Sequence, residues 1–231
     1  MCGRYNIIDN PETRALLESL GIPLAFSSQY NLAPTDAVPV IVQGENQGNK
    51  TPYELHQMRW WLTPSWAPEV SNQYSMFNAR AETLSSSRAF KGPYRHHRGL
   101  IPASSFIEWK KTGKGPKQPY LIEPENGCFL FAGLWDVWAK QGSYLESCTI
   151  VTTEAQQGFR WLHHRMPLIL DEDEARAWLD RGTTSRDLEA IRNKQSVENL
   201  RLYPLPTDIN NSRNKDQSYF VDLEDSIEIK D

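Results

Sequence analysis

Cysteine is scarce in this chain: three in 231 residues, at positions 2, 128 and 148. So sparse and odd a set builds no disulfide framework and fits a reducing compartment. No two of them have metal-ligand spacing, so no metal site is expected. No apolar run reaches the ~18–20 residues of a membrane span, and residues 1–6 contain no apolar signal region. These absences predict a cytoplasmic protein without a membrane partner. There is no P-loop and no Gly-rich dinucleotide fingerprint, so no nucleotide cofactor is expected, nor any other. Repeats, linkers and low-complexity segments are missing too, and Gly (13) and Pro (15) stand near ordinary levels. What remains is 39% hydrophobic and 23% charged, which excludes a disordered or fibrous chain, and the length suffices for a real core.

Local patterns predict many short strands and a few helices. Residues 10–21 read as a helix, capped by Asn10, with Pro11 in its first turn and Gly21 as its stop. Residues 38–42 and 53–62 read as strands, and 75–79 as a strand followed by a helix over 81–90. Strands at 98–103 and 106–111 meet at a Ser104-Ser105 corner, and 112–116 form a basic turn. Further strands are expected at 120–122, 128–135, 148–152 and 166–170. Residues 171–179 form a helix with capping-box spacing between Asp171 and Glu174, and 184–194 another. The acidic tail, 222–231, is expected to be loose. The order predicts one α+β domain over 1–231, with its core in 2–215: a mostly antiparallel, barrel-like sheet with flanking short helices.

Charge is unevenly spread. Residues 1–170 carry 16 Lys/Arg against 14 Asp/Glu, net +2; residues 171–231 carry 9 against 15, net −6. Residues 80–117 carry nine basic side chains against Glu82 and Glu108, interleaved with Phe90, Tyr94, Phe106 and Trp109. Cations for phosphate and rings for base stacking are what a single-strand nucleic-acid groove requires. The same pattern also suits an ordinary solvated surface.

Cys2 follows the initiator Met directly. Removal of Met1 would leave a free α-amine and a thiol on adjacent carbons, a 1,2-aminothiol. Its amine attacks an aldehyde, water leaves to give an imine, and the thiol closes a five-membered thiazolidine. The amine, with a reference pKa near 7.7–8.0, is partly neutral at physiological pH. Only a cysteine at this position can do this; the plainer reading is an incidental terminal residue.

The residues that follow resemble the SRAP family, the SOS response-associated peptidase domain that senses abasic sites in single-stranded DNA. Met1-Cys2-Gly3-Arg4 is similar to its opening, and Tyr30–Thr35 to its Y-N-x-A-P-T segment. Met58-Arg59-Trp60 with Pro64-Ser65-Trp66 resembles its M-R-W-G-L-x-P-x-W element, and Asn78–Thr83 its N-A-R-x-E-T motif. Residues 98–109 resemble R-C-L-x-P-A-x-G-F-Y-E-W, and Ala132–Asp136 the A-G-L-W-D strand. Ile150–Thr153 and His163–Pro167 complete a match over residues 2 to about 215. Trp61-Leu62, Gly99 and Ser105-Phe106-Ile107 depart from the pattern, and bulky Trp61 is expected to reshape its strand.

The resemblance implies the SRAP fold and covalent capture of an abasic site by Cys2 as a thiazolidine, shielding the lesion during the DNA damage response. It implies Glu108 as proton shuttle, its pKa raised by an apolar strand, and His163 as the acid at the sugar ring oxygen, with His164 secondary. Asn78 would orient the sugar or the amine. Arg4, Arg80, Arg88 and Arg165 would clamp phosphates, and Trp66 would stack beside the lesion. Asn31, Pro34 and Thr152 would shape the floor around Cys2, while Trp109 and Trp135 belong to the core. The plainer reading of Glu108 is an edge-strand partner of Lys110, and that of the arginines is structural ion pairing. The partner would be single-stranded DNA with an abasic site, at a junction with duplex, bound by a monomer that is nucleoid-associated when engaged. Autopeptidase activity through Cys2 and Glu108, and weak lyase activity from the imine, are implied more loosely. Two other readings stay open: an N-terminal-nucleophile amidohydrolase of the glutamine amidotransferase kind, and a non-covalent single-strand binding module on residues 80–117.

Overall fold

Alternation builds the central layer. In β3 (Ala37–Gln43), Val38, Val40 and Val42 fall on one face and Ile41 on the other, and both faces are buried. The same division runs through β6 (Arg98–Ala103) and β9 (Phe129–Lys140). With β4 (Tyr53–Trp60) and β10 (Ser143–Glu154) they close a five-stranded barrel in the order β10-β4-β3-β6-β9, with β9 pairing back to β10. This is a computed structural model, and it describes residues 2–22, 27–44, 52–111, 113, 115–125, 127–140, 142–194, 199–221, 223 and 226–230.

A second, antiparallel sheet lies against the barrel. Its strands are β1 (Arg4–Ile7), β2 (Gln29–Leu32), β7 (Ser105–Lys110), β8 (Gln118–Pro124), β12 (Leu200–Pro204) and β13 (Ile227–Ile229), in the order β13-β12-β8-β7-β1-β2. Tyr5, Phe106, Ile122 and Leu202 of this sheet share one core with Val40, Ile101 and Phe131 of the barrel. On the barrel's other side, Leu17, Trp178, Leu188 and Ile191 bring in the helices α1 (Pro11–Ser19), α3 (Glu172–Leu179) and α4 (Ser185–Arg192). A third cluster, with Ile107, Leu121, Leu205, Ile209 and Phe220, seats the segment after β12 on the sheet's outer face.

The expected α+β class and barrel are present, and the expected helix caps are made. Asn10 accepts from the Thr13 N–H, and Asp171 and Glu174 form a reciprocal capping box. Several elements differ. Residues 81–90 are no α-helix: a 3-10 turn spans Ala81–Thr83, and α2 starts only at Lys91 (Lys91–His96). There the Thr83 and Ser86 hydroxyls donate to the Arg80 and Thr83 carbonyls, competing with helical bonds. The strand expected at 75–79 is β5 (Asn78–Arg80), and that at 166–170 is β11 (Arg165–Pro167). The Ser104-Ser105 corner joins two strands as expected and hands the chain from the barrel to the second sheet. In the basic turn, Thr112 and Lys114 lie outside the described residues, as do Asp222, Glu224, Asp225 and Asp231 of the tail. The tail is nevertheless tied down, because Ile227–Ile229 pairs with β12.

Strand β4 stops at Trp60, and Trp61 turns to pack its ring 5.3 Å from that of Phe77. At Gly99 a Cβ would lie 2.9 Å from Val40 Cγ1 and 3.1 Å from the Ile41 carbonyl oxygen. The close approach of β3 therefore accounts for glycine where the resembling motif carries cysteine.

Candidate functional site

Three elements converge on the start of the chain. Strand β1 runs between β7 and β2, with Arg4 opposite Ile107 and Tyr5 opposite Phe106. One step further, this register sets Gly3 opposite Glu108. Strand β5 pairs in parallel with β10, Ile150 opposite Asn78, and so carries Asn78 to the same place. The third element is the loop between β10 and β11. Phe159 anchors it in the core, its ring 6.0 Å from that of Phe106. The Leu162 and His163 N–H groups fold back onto the Phe159 carbonyl.

Cys2, Asn78, Glu108 and His163 are thereby brought together. Asn78 Nδ2 donates to the Cys2 carbonyl at 2.8 Å, fixing the Cys2–Gly3 peptide. Asn78 is buried, and its Oδ1 has no hydrogen-bond partner among the described residues. His163 Nδ1 lies 3.9 Å from Glu108 Oε2, and Glu108 Oε1 accepts from the Trp109 N–H at 3.1 Å. Cys2 is 0% exposed. Burial pushes its thiol well above the ordinary value, and Glu108 nearby adds to the effect. Burial also pushes the Glu108 carboxyl upward. It acts in the opposite sense on His163, whose pKa is pulled down to about 4. At neutral pH this shift strengthens the preference of His163 for the uncharged imidazole.

Beside these residues opens a cavity of about 520 Å³. Gly3, Glu108 and His163 form part of its wall, and Lys110, Lys111, Lys117 and Arg160 bring four cations to it. Trp109, expected in the core, is half-buried and lines the cavity. Its Nε1 donates to Asn210 Oδ1 at 2.6 Å, and the Arg4 guanidinium lies 5.6 Å from the centre of its ring. A second cavity, lined by Arg80, Glu154, Arg160, His164 and Arg165, shares Arg160 and His164 with the first. The two make one basic track past His163.

The other residues singled out in the sequence are placed as follows. Arg4 is engaged within the protein, donating to Asn31 Oδ1 at 2.7 Å and to the Ile209 and Asn210 carbonyls. Asn31 faces the same segment rather than Cys2, its Nδ2 donating to the Asn214 carbonyl at 2.8 Å. Pro34 is half-buried in a tight turn in which the Asp36 N–H donates to the Ala33 carbonyl. Arg165 is buried, bidentate to Glu82 and hydrogen-bonded to the Thr152 carbonyl, while Thr152 is itself buried in β10. Arg80 is exposed beside the second cavity. Trp66, 45% exposed, stands apart with the Arg88 guanidinium 4.2 Å over its ring; neither lines the first cavity. Trp135 is half-buried and stacks on His97. Arg160 and Trp161 belong to none of the motifs in the sequence. The one signal for either was proximity to His163 in the chain.

Residues 1–212 match the SOS response associated peptidase (SRAP) family. The chain is 34% identical over 220 residues to abasic site processing protein YoaM of Bacillus subtilis, covering 93% of this chain and 95% of that one. It is 32% identical over 228 residues to abasic site processing protein HMCES of Gallus gallus, covering 86% of this chain and 67% of that one. Among solved structures, a Bacteroides thetaiotaomicron protein superposes with a TM-score of 0.75 at 21% identity, over 90% of this chain and 93% of that one. A phage-related protein of Bordetella bronchiseptica superposes with a TM-score of 0.71 at 28% identity, over 88% and 94%. A match running from the first residue through the strap after β12, over a barrel shared with solved relatives, makes this chain a member of the SRAP family.

Proposed function

We propose that this protein captures abasic sites in single-stranded DNA as a covalent thiazolidine on Cys2, once Met1 has been removed. The observation that carries the reading is the convergence on Cys2. Its carbonyl is held by Asn78, with Glu108 and His163 beside it under a cation-lined cavity. Relatives named as abasic site processing proteins support the substrate.

The ionisation states set the order of steps. A buried thiol far above its usual pKa is neutral at pH 7 and a poor first nucleophile. The α-amine, with a reference pKa near 7.7–8.0, attacks C1′ of the ring-opened sugar first. The carbinolamine loses its hydroxyl as water, and Glu108, whose carboxyl burial makes easier to protonate, donates the proton. The sulfur then adds to the imine carbon while the thiol proton passes to the Glu108 carboxylate. The carbon–nitrogen π pair returns to the nitrogen, which keeps the hydrogen it already carries, and the carboxyl is restored. Neutral His163 is a hydrogen-bond partner for the sugar oxygen during ring opening, and the free Oδ1 of Asn78 is an acceptor for the amine. The imine is also the branch point for weak strand cleavage by β-elimination. Peptidase release of the product would use the same Cys2 and Glu108. Exposed Arg80 and the lysines around the cavity hold the phosphates, and lesion and strand character, not base sequence, decide recognition.

The test is a denaturing gel with single-stranded DNA carrying one abasic site, alongside an intact-base control. The wild-type chain gives a lesion-dependent, SDS-resistant band. Cys2→Ala keeps an α-amine and loses that band, but yields one when borohydride traps the imine. If wild-type protein shown by mass to lack Met1 gives no band, the capture reading fails. Ammonia release from glutamine would then point to the amidohydrolase reading, and salt-sensitive, Cys2-independent binding to a plain binding module.

A further inference from the structure

Beside the contact between Glu108 and His163, a second polar contact links the same pair of elements. Two residues along β7 from Glu108 stands Lys110, and two residues before His163 in the opposing loop stands Trp161. Lys110 Nζ lies 4.8 Å from the centre of the Trp161 indole. Residues two apart on a strand share a face, so Glu108 and Lys110 point to the same side. Tyr120 pairs directly with Glu108 across β7 and β8, and meets the Trp161 ring edge-on at 5.4 Å. Both Lys110 and Trp161 line the cavity of the candidate site. A large ring in such a place is ordinarily covered, yet Trp161 is 38% exposed.

Spacing gives this second contact a meaning. Two residues of strand advance by about 6.7 Å, close to one nucleotide of a stretched single strand. Whatever sits at Glu108 and His163, its neighbour along the strand arrives at Trp161. We infer that Trp161, backed by Lys110 and Tyr120, is a stacking subsite for the base of the nucleotide adjoining the abasic one. This rests on the capture reading above and adds a ligand to it: an unpaired nucleobase of either kind, purines favoured for their larger face. An indole offers an open π-surface to any base, and the ammonium beside it serves the adjoining phosphate. The subsite lies on one side of the lesion only, since the loop carries one such ring.

Binding of non-reactive oligonucleotides separates the subsite from the chemistry. Single strands carrying a tetrahydrofuran abasic analogue are compared with strands in which the 5′ or the 3′ neighbouring base is also removed. Wild-type affinity falls about tenfold when the base on one particular side is missing and stays unchanged for the other side. Trp161→Ala binds the parent strand about tenfold more weakly and no longer distinguishes the strands; Trp161→Phe recovers part of the difference. The inference is overturned if Trp161→Ala responds to the missing base as wild type does, or if wild type ignores both neighbours. Crosslinking to a natural abasic site, run in parallel, keeps the two ideas apart. A neighbour-base effect without crosslinking removes only the capture chemistry, and crosslinking without a neighbour-base effect removes only the subsite.

Discussion

Glu108 and His163 stand 3.9 Å apart and are shifted in opposite senses by the same burial. Their effects on stability therefore oppose each other. The Glu108 carboxyl has a higher pKa folded than unfolded, so its contribution is greatest below the unfolded value of about 4.3 and is lost as pH rises. The His163 pKa is lower folded, so its contribution is present above about 6.5 and is lost as pH falls towards about 4. Replacing Glu108 by Gln removes the first effect and leaves the second. We expect Glu108→Gln to melt higher than wild type at pH 7, by on the order of a few degrees. Its stability should then fall more steeply between pH 6.5 and 4, while its crosslinking slows at least 100-fold. Thermal melts across pH with single-turnover gels check both; a Gln variant no more stable at pH 7 would contradict the buried-carboxyl account. Such a pair was only half legible in the sequence. An apolar strand around Glu108 announced its raised pKa, but nothing beside His163 in the chain announced that burial would keep it uncharged.

Among the elements, the strap after β12 does more than close the chain. Asn31, at a positive φ of 49°, accepts from Arg4 and from its Nδ2 donates to carbonyls at Asn211 and Asn214. Arg4 and Asn210 in turn hold the Trp109 wall of the cavity. Asn31→Ala forfeits these bonds and puts a Cβ residue without side-chain compensation at positive φ. The expected cost is about 2–3 kcal/mol, a fall in melting temperature of roughly 5–10 °C. Crosslinking should slow with no change at Cys2 itself; an unchanged melt would show the strap to be decorative. Helices α1, α3 and α4 were readable because their caps are local: Asn10, Asp171 and Thr184 each sit just before the periodic run. Strands β1, β2 and β12 escaped the sequence reading, since strands of four or five residues carry too little alternation and take their partners from far along the chain. The helix expected at 81–90 failed for a local reason, the Thr83 and Ser86 hydroxyls bonding nearby backbone carbonyls.

At the scale of the whole molecule, an acidic chain presents a basic working face. The acidic excess belongs to residues 171–231, while Lys110, Lys111, Lys117, Arg160 and Arg80 line the two joined cavities. Binding to a single strand should weaken with salt, and each phosphate contact contributes about −0.7 to the log–log slope. Lys111→Gln and Lys117→Gln should each lower that slope by about 0.7 and leave the response to the abasic lesion intact; equal slopes in wild type and variants would move the DNA path elsewhere. Of the residues interleaved at 80–117, Arg80, Trp109, Lys110, Lys111 and Lys117 line these cavities, while Arg98, Tyr94 and Phe106 are buried and Arg88 stands apart on Trp66; Arg160 and Trp161 join from a loop more than forty residues downstream. The burial of Cys2 between strands also sets a clock. Strand β1 is enclosed only after β7 has been made, about 110 residues into synthesis, or roughly 5–20 s at ordinary elongation rates. Within that interval nothing of β7 covers β1, and the start of the chain is most open to an aminopeptidase; afterwards the Cys2 side chain is buried. On the capture reading, the trimming that frees the Cys2 amine would therefore belong to synthesis, before the strands close over it.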